Sequence, residues 1–135
     1  HMPAAVKCVD KLPDVRFVVD HISKPRIKNA EMEPWVDLIA QLAQRPNVYC
    51  KVSGMVTEAS WDKWTVGDFQ PYFDHVVGFF GANRLMYGSD WPVSVIAGGY
   101  DKVFNLAKTL ATDLSQEEKE ALFGKTAISC YGLSI

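Results

Sequence analysis

Cysteine, histidine and charge of one sign are all scarce in this sequence, and each scarcity excludes a class of function. Three cysteines, Cys8, Cys50 and Cys130, stand far apart with no Cys-x-x-Cys spacing. Neither a disulfide framework nor a cysteine zinc site is expected, and the three read as buried thiols. Fourteen Lys and Arg oppose sixteen Asp and Glu, for a net charge of -2. No run of like charge occurs, so the basic face that a nucleic-acid partner requires is not supplied. No apolar stretch approaches the ~20 residues that span a bilayer, and the N-terminus lacks the charged, apolar and small-residue regions of a signal peptide. The expectation is a soluble, cytoplasmic protein with neither nucleic-acid nor membrane partners. A Walker loop, a Gly-x-Gly-x-x-Gly fingerprint and a Gly-x-Ser-x-Gly hydrolase elbow are missing as well.

What is present reads as a helix followed by three βα units. His1-Met2 reads as a tag remnant, which leaves residues 3–135 as a single domain. Ala5, Val6, Val9 and Leu12 recur at helical spacing until Pro13-Asp14 stops them. Strands are expected near 17–20, 48–53 and 84–88. The first, Phe17-Val18-Val19, is a continuous apolar run that ends abruptly in Asp20-His21, the pattern of a strand covered on both faces. Residues 22–30 read as a loop. Helices are expected from about Glu33 on the stripe Trp35, Val36, Ile39, Leu42 and Ala43, over 68–80 on Phe69, Tyr72, Phe73, Val76, Val77 and Phe80, and from Asp101 to Leu110. Ser115-Gln116-Glu117-Glu118 is a capping box that opens the last helix. The intervals between strands suit right-handed parallel crossovers, so the fold class is α/β.

Polar residues gather beyond each strand: His21 after the first, Ser53 and Glu58 after the second, Asp90 after the third. In parallel α/β folds that end of the sheet is the ligand face. Asp90, between Gly88-Ser89 and the stiff Trp91-Pro92 pair, is placed to take a proton from water or to bind a divalent ion; capping the next turn is the plainer role for it. His21 reads equally as a loop histidine bonded to backbone. Lys24 and Arg26 suit either an anionic ligand or a solvated loop. Lys51 points to one face of its strand and, if that face is the interior, needs a charged partner or ligand there. Glu58 beside Trp61 and Trp64 suggests a polar group against an aromatic wall, although packing also accounts for the tryptophans. His75 lies within an aromatic helix stripe and reads as structural.

Val18-Val19-Asp20-His21-Ile22-Ser23-Lys24-Pro25, Val48-Tyr49-Cys50-Lys51-Val52-Ser53-Gly54 and Arg84-Leu85-Met86-Tyr87-Gly88-Ser89-Asp90-Trp91-Pro92-Val93 resemble, in that order, the closing segments of the amidohydrolase-related family. The likeness is strongest to its sugar-lactone hydrolases of the fuconolactonase and rhamnonolactonase type. The resemblance implies the C-terminal three βα units of a (β/α)8 barrel, a fold of ~250 residues. It implies Asp90 as general base for the attacking water and His21 as metal ligand or carbonyl polariser, and it places Lys24, Glu58 and Trp91 in the substrate pocket. His21 and Asp90 would be the two members of an incomplete metal site, since the family's His-x-His pair has no counterpart among His1, His21 and His75. Any divalent ion such as zinc belongs on this reading to the full-length parent, and none is expected on the 135-residue chain.

The function so implied is hydrolysis of a small lactone by the parent protein, with the chain alone inactive. Two alternatives stand beside it: a decarboxylase of the same family acting on a carboxylic acid, and a non-catalytic piece that self-associates through exposed sheet edges. A flavodoxin-like receiver is disfavoured, because its first strand ends in clustered acidic residues and this one supplies only Asp20.

Overall fold

Three short strands, β1 (Phe17–Val19), β2 (Val48–Val52) and β3 (Leu85–Tyr87), lie side by side in that order and all parallel. Val19 pairs with Cys50, and Cys50 with Leu85. This computed structural model describes residues 2–134, with Met2 described by its backbone alone. The proposed tag residue His1 lies outside the described residues, while the backbone of Met2 already opens helix α1 (Met2–Lys11). Against the expected ranges β1 and β2 are one residue shorter at their carboxyl ends, and β3 is one residue shorter at each end. Asp20 starts a turn of 3-10 helix (Asp20–Ser23), Ser53 leaves the sheet, and Arg84 closes another such turn (Ala82–Arg84).

The crossovers are helices α2 (Trp35–Ala43) and α3 (Val66–Phe80), followed after β3 by α4 (Gly99–Leu110). They cover one face of the sheet. Val48, Cys50 and Val52 point into that layer at 1%, 0% and 1% exposure, beside Ile39, Leu42, Phe69, Phe73 and Val76. Alternation along β2 sends Tyr49 and Lys51 the other way, and both are only half-buried. The expectation of a first strand covered on both faces is therefore corrected. All three residues of β1 are half-buried, because β1 is an edge strand and its second face receives no helical layer.

α3 starts two residues earlier than the expected residue 68, because Thr65 and Asp68 form a capping box. Gly81, at φ +69, ends it. The capping box at Ser115 opens α5 (Gln116–Glu120), which widens into a π turn (Ala121–Lys125) before α6 (Thr126–Tyr131). Arg16, just before β1, donates to the carbonyls of Ser129 at 2.7 Å and Cys130 at 2.8 Å, so the end of the chain is tied to the start of the sheet. Arg84 binds five carbonyls, those of Ala43, Arg45, Val48, Phe79 and Phe80, and thereby joins the ends of α2 and α3 to the start of β2. Cys50 and Cys130 are buried as expected, but Cys8 is exposed, on α1 next to the buried Val9. Among the described residues no helix is long and apolar enough to cross a membrane.

Candidate active site

The polar residues that follow the three strands converge because the strands are parallel and in register, so their carboxyl ends lie along one edge. His21 leaves β1 in a turn of unusual hand. His21, Ile22, Ser23 and Lys24 all have positive φ, between 43° and 61°, with no glycine among them. Left-handed backbone costs an L-residue roughly 1–2 kcal/mol, so the surroundings must hold the turn. Ile22 is fully buried, and the Trp35 indole N–H donates to its carbonyl at 2.7 Å.

The imidazole is fixed on both sides. Nδ1 lies 2.8 Å from the Ser53 hydroxyl oxygen. Nε2 faces two carboxylates, Asp20 Oδ2 at 3.3 Å and Asp90 Oδ1 at 3.7 Å. Two acceptors in front of Nε2 favour the tautomer that carries its proton there, with Nδ1 accepting from Ser53. Two glycines make the space. A Cβ on Gly54, which has φ +63, would sit 2.7–2.9 Å from His21 ring and Cβ atoms, and a Cβ on Gly88 would press on Ser53 and on the Lys51 stem at 3.1–3.4 Å.

Asp90 arrives from the end of β3 with φ +53, its side chain 13% exposed. Its backbone carbonyl accepts from Ser94 N–H at 2.8 Å, which starts the turn Val93–Ala97. The Trp64 indole donates to Ala97 O at 2.8 Å, linking the loop after β2 to the loop after β3. Among the described residues the Asp90 carboxylate has no hydrogen bond, so its lone pairs are free for a ligand.

Lys51 meets the charged partner that its place on the strand demands. Its ammonium lies 2.9 Å from Asp20 Oδ1. Burial alone would raise the Asp20 carboxyl, but the Lys51 hydrogen bond and the charges of His21 and Lys51 outweigh it and hold the group below its ordinary value. Lys51 is held above the ordinary lysine value, first by the Asp20 hydrogen bond and less strongly by Tyr131. The role of Asp20 goes beyond the sequence reading, because it follows from the register: Val19 beside Cys50 puts Asp20 beside Lys51 one residue further along.

The structure brings His21 and Asp90 together and pairs Lys24 with Glu58 at 2.9 Å. Trp91 follows Asp90 and is 65% exposed. Trp61 is exposed too, its indole donating to Thr57 O, while Trp64 packs edge-on against Phe69 and under the Lys102 ammonium. His75 stacks on Phe79 within α3, away from the site. As metal ligands, His21 Nε2 and Asp90 are two donors, and Asp20 is already engaged by Lys51. A catalytic zinc takes three protein ligands, and among the described residues no group of three His, Cys, Asp or Glu side chains is arranged to hold a metal ion. These residues do not by themselves make a zinc site.

The chain is 36% identical over 143 aligned residues to an L-fucono-1,5-lactonase of Burkholderia multivorans, covering 91% of this chain and 48% of that protein. It is 42% identical over 100 residues to an L-fucono-1,5-lactonase of Burkholderia ambifaria, covering 74% of this chain and 34% of the relative. Crystal structures of an amidohydrolase from Burkholderia multivorans superpose with TM-score 0.93 at 34% identity, with HEPES bound, and 0.91 at 36% identity, with zinc bound. Each match covers 98% of this chain and half or just under half of that chain, 50% and 49%. These neighbours are (β/α)8 barrels, matched over half their length, and the chain spans about half the length, or less, of the curated lactonases it matches. The profile of the amidohydrolase family runs over residues 1–133, and by that match this chain belongs to the amidohydrolase family.

Proposed function

We propose that this chain supplies one wall of the active site of a hydrolase that opens a small sugar lactone, with Asp90 as general base. The observation that carries the reading is the meeting of His21 and Asp90 at 3.7 Å from the ends of two different strands, one group donating and the other accepting protons. The similarity to proteins named L-fucono-1,5-lactonase supports the substrate class.

In this reading a water molecule lies against the free Asp90 carboxylate. As its oxygen bonds to the lactone carbonyl carbon, its proton passes to Asp90, and the carbonyl electron pair moves onto oxygen. The His21 Nε2–H donates to that developing oxyanion. When the intermediate collapses, the ring C–O bond breaks and the proton held by Asp90 goes to the departing ring oxygen. The product is an open-chain hydroxy acid and Asp90 is regenerated. Lys24 and Glu58, paired at the rim, and Trp91 are assigned to hold the sugar hydroxyls and ring face. No step passes through a metal ion.

The 135-residue chain alone is proposed to turn over no lactone, because it presents two reacting groups on one side of the substrate and, among the described residues, no groups facing them. The test follows ring opening by acid release in two preparations, the 135-residue chain and a protein carrying it within a complete barrel. The complete protein should open a neutral sugar lactone and lose roughly 10²–10⁴-fold in Asp90→Asn, the usual worth of a positioned base. Turnover by the 135-residue chain that vanishes in Asp90→Asn would overturn its inactivity. Release of carbon dioxide from an aromatic acid, with no ring opening, would overturn the lactonase reading itself.

A further inference from the structure

The side chains of Lys51, Asp20, His21 and Asp90 form a chain of contacts across all three strand ends, and its geometry is unequal. Lys51 Nζ is 2.9 Å from one Asp20 oxygen, whereas the other Asp20 oxygen stays 3.3 Å from His21 Nε2 and Asp90 stays at 3.7 Å. A charge-assisted bond between an imidazole N–H and a carboxylate closes to about 2.7–2.9 Å when nothing opposes it. Here neither carboxylate closes. Something holds Asp20 back: besides the His21 backbone N–H, the charged side chain bonded to it is Lys51, at 2.9 Å.

The sequence is arranged to allow this. Lys51 is the polar residue on a strand whose alternate positions, Cys50 and Val52, are buried on the helical side. The glycine at position 88 leaves room for its stem, since a Cβ there would lie 3.2 and 3.4 Å from Lys51 Cδ and Cγ. Ser53, two residues on, anchors Nδ1 of the same imidazole. One strand therefore carries both supports of His21, one acting directly and one through Asp20.

We infer that Lys51 is a positioning residue for His21: by engaging Asp20 it keeps that carboxylate from capturing the Nε2–H, and so leaves the imidazole donor available in the cleft beside Asp90. The inference rests on the proposed hydrolytic reading for its purpose, though not for its geometry. Without Lys51, the Asp20 carboxylate turns onto His21 and the donor is withdrawn from the site.

The experiment reads the imidazole directly, so that the absence of lactonase activity and the failure of this inference remain distinguishable. The 135-residue chain, labelled with nitrogen-15, is examined by NMR at one fixed pH, and His21→Gln identifies the His21 signals among the three histidines. In Lys51→Met the Nε2–H proton of His21 should shift downfield and exchange more slowly with solvent. That shift should be lost again in Lys51→Met/Asp20→Asn, and Lys51→Arg should restore the original position. Should Lys51→Met fail to give a native amide spectrum, Lys51→Gln provides the same comparison with a polar tip. A folded Lys51 variant whose His21 signals match the parent chain overturns the inference, as does a shift that persists when Asp20 is replaced by Asn.

Discussion

Gly54→Ala and Gly78→Ala are the same chemical change with opposite expected signs. At Gly54 the backbone has φ +63, and the added Cβ would meet Nδ1, Cγ and Cβ of His21 at 2.7, 2.8 and 2.9 Å. The conformational cost alone is roughly 1–2 kcal/mol. The ring must also withdraw from its 2.8 Å contact with Ser53, a loss of about 0.5–1.5 kcal/mol. The expected destabilisation is therefore on the order of 2–3 kcal/mol. At Gly78, exposed in the body of α3 with nothing within 4 Å of the added Cβ, alanine removes the entropic cost of glycine and should stabilise by roughly 0.5–1 kcal/mol. Urea unfolding followed by far-UV circular dichroism measures both. With a slope of about 1–3 kcal/mol/M, the two midpoints should lie on opposite sides of the parent chain, and Gly54→Ala should also move the His21 imidazole signals. A Gly54→Ala chain within about 0.5 kcal/mol of the parent, the range of an ordinary surface substitution, would refute the claim that this glycine exists to admit the ring.

Three further outcomes are expected. Arg84→Lys keeps the charge but not the planar fork that reaches five carbonyls; at about 1 kcal/mol per lost bond it should cost roughly 2–4 kcal/mol, measured by the same urea titration, and a cost below about 0.5 kcal/mol would contradict the joining role. Stability owed to Asp20 and Lys51 should depend on pH at both ends. The Asp20 carboxyl is depressed, so its contribution is present above its ordinary value of 3.8 and is lost as pH falls through its lower folded value. Lys51 is raised, so its contribution is present below 10.5 and is lost as pH rises through its higher folded value. Thermal melts of the parent against Asp20→Asn/Lys51→Met should thus differ most between those limits and converge outside them. Finally, we propose that two copies of this chain associate, because β1 and β3 are each paired on one side only and Val93, Val95, Ile96 and Tyr100 are all at least half exposed. Light scattering across a hundredfold concentration range should show mass rising, and a constant monomer mass would count against it.

The α/β class and the three strand ends are legible in the sequence because buried parallel strands appear as apolar runs that stop at polar pairs. Asp20-His21 and Ser53-Gly54 directly follow the first two strands, and Ser89-Asp90 follows the third after one glycine. Lys51 could be read as needing a partner, but naming Asp20 required the register between β1 and β2, which no local pattern carries. The capping box at Thr65 was within reach, since Thr65-x-x-Asp68 is a local signal, yet the apolar stripe of α3 starts only at Phe69. The hand of the turn at His21 had no local trace at all. Positive φ is expected of glycine or asparagine, and His21-Ile22-Ser23-Lys24 contains neither. The tertiary contact of Trp35 with the Ile22 carbonyl decides that turn, and a contact between two elements is not a property of either one.

That reversed turn has a consequence for how the molecule tolerates damage. Four residues at roughly 1–2 kcal/mol each amount to a sizeable part of the 5–15 kcal/mol by which whole domains are stable. The turn is therefore the segment with the strongest tendency to relax, and it is restrained from behind by α2 through Trp35 and Ile22. Loosening α2 should release the turn in a local opening well before the sheet melts, exposing the Lys24 amide, bonded to His21 O, to hydrogen exchange at low free energy. Substitutions at the far end of α2, such as Leu42→Ala, should then release the His21 turn in a chain that still scores as folded, so that loss of the site's geometry need not map to any residue at the strand ends.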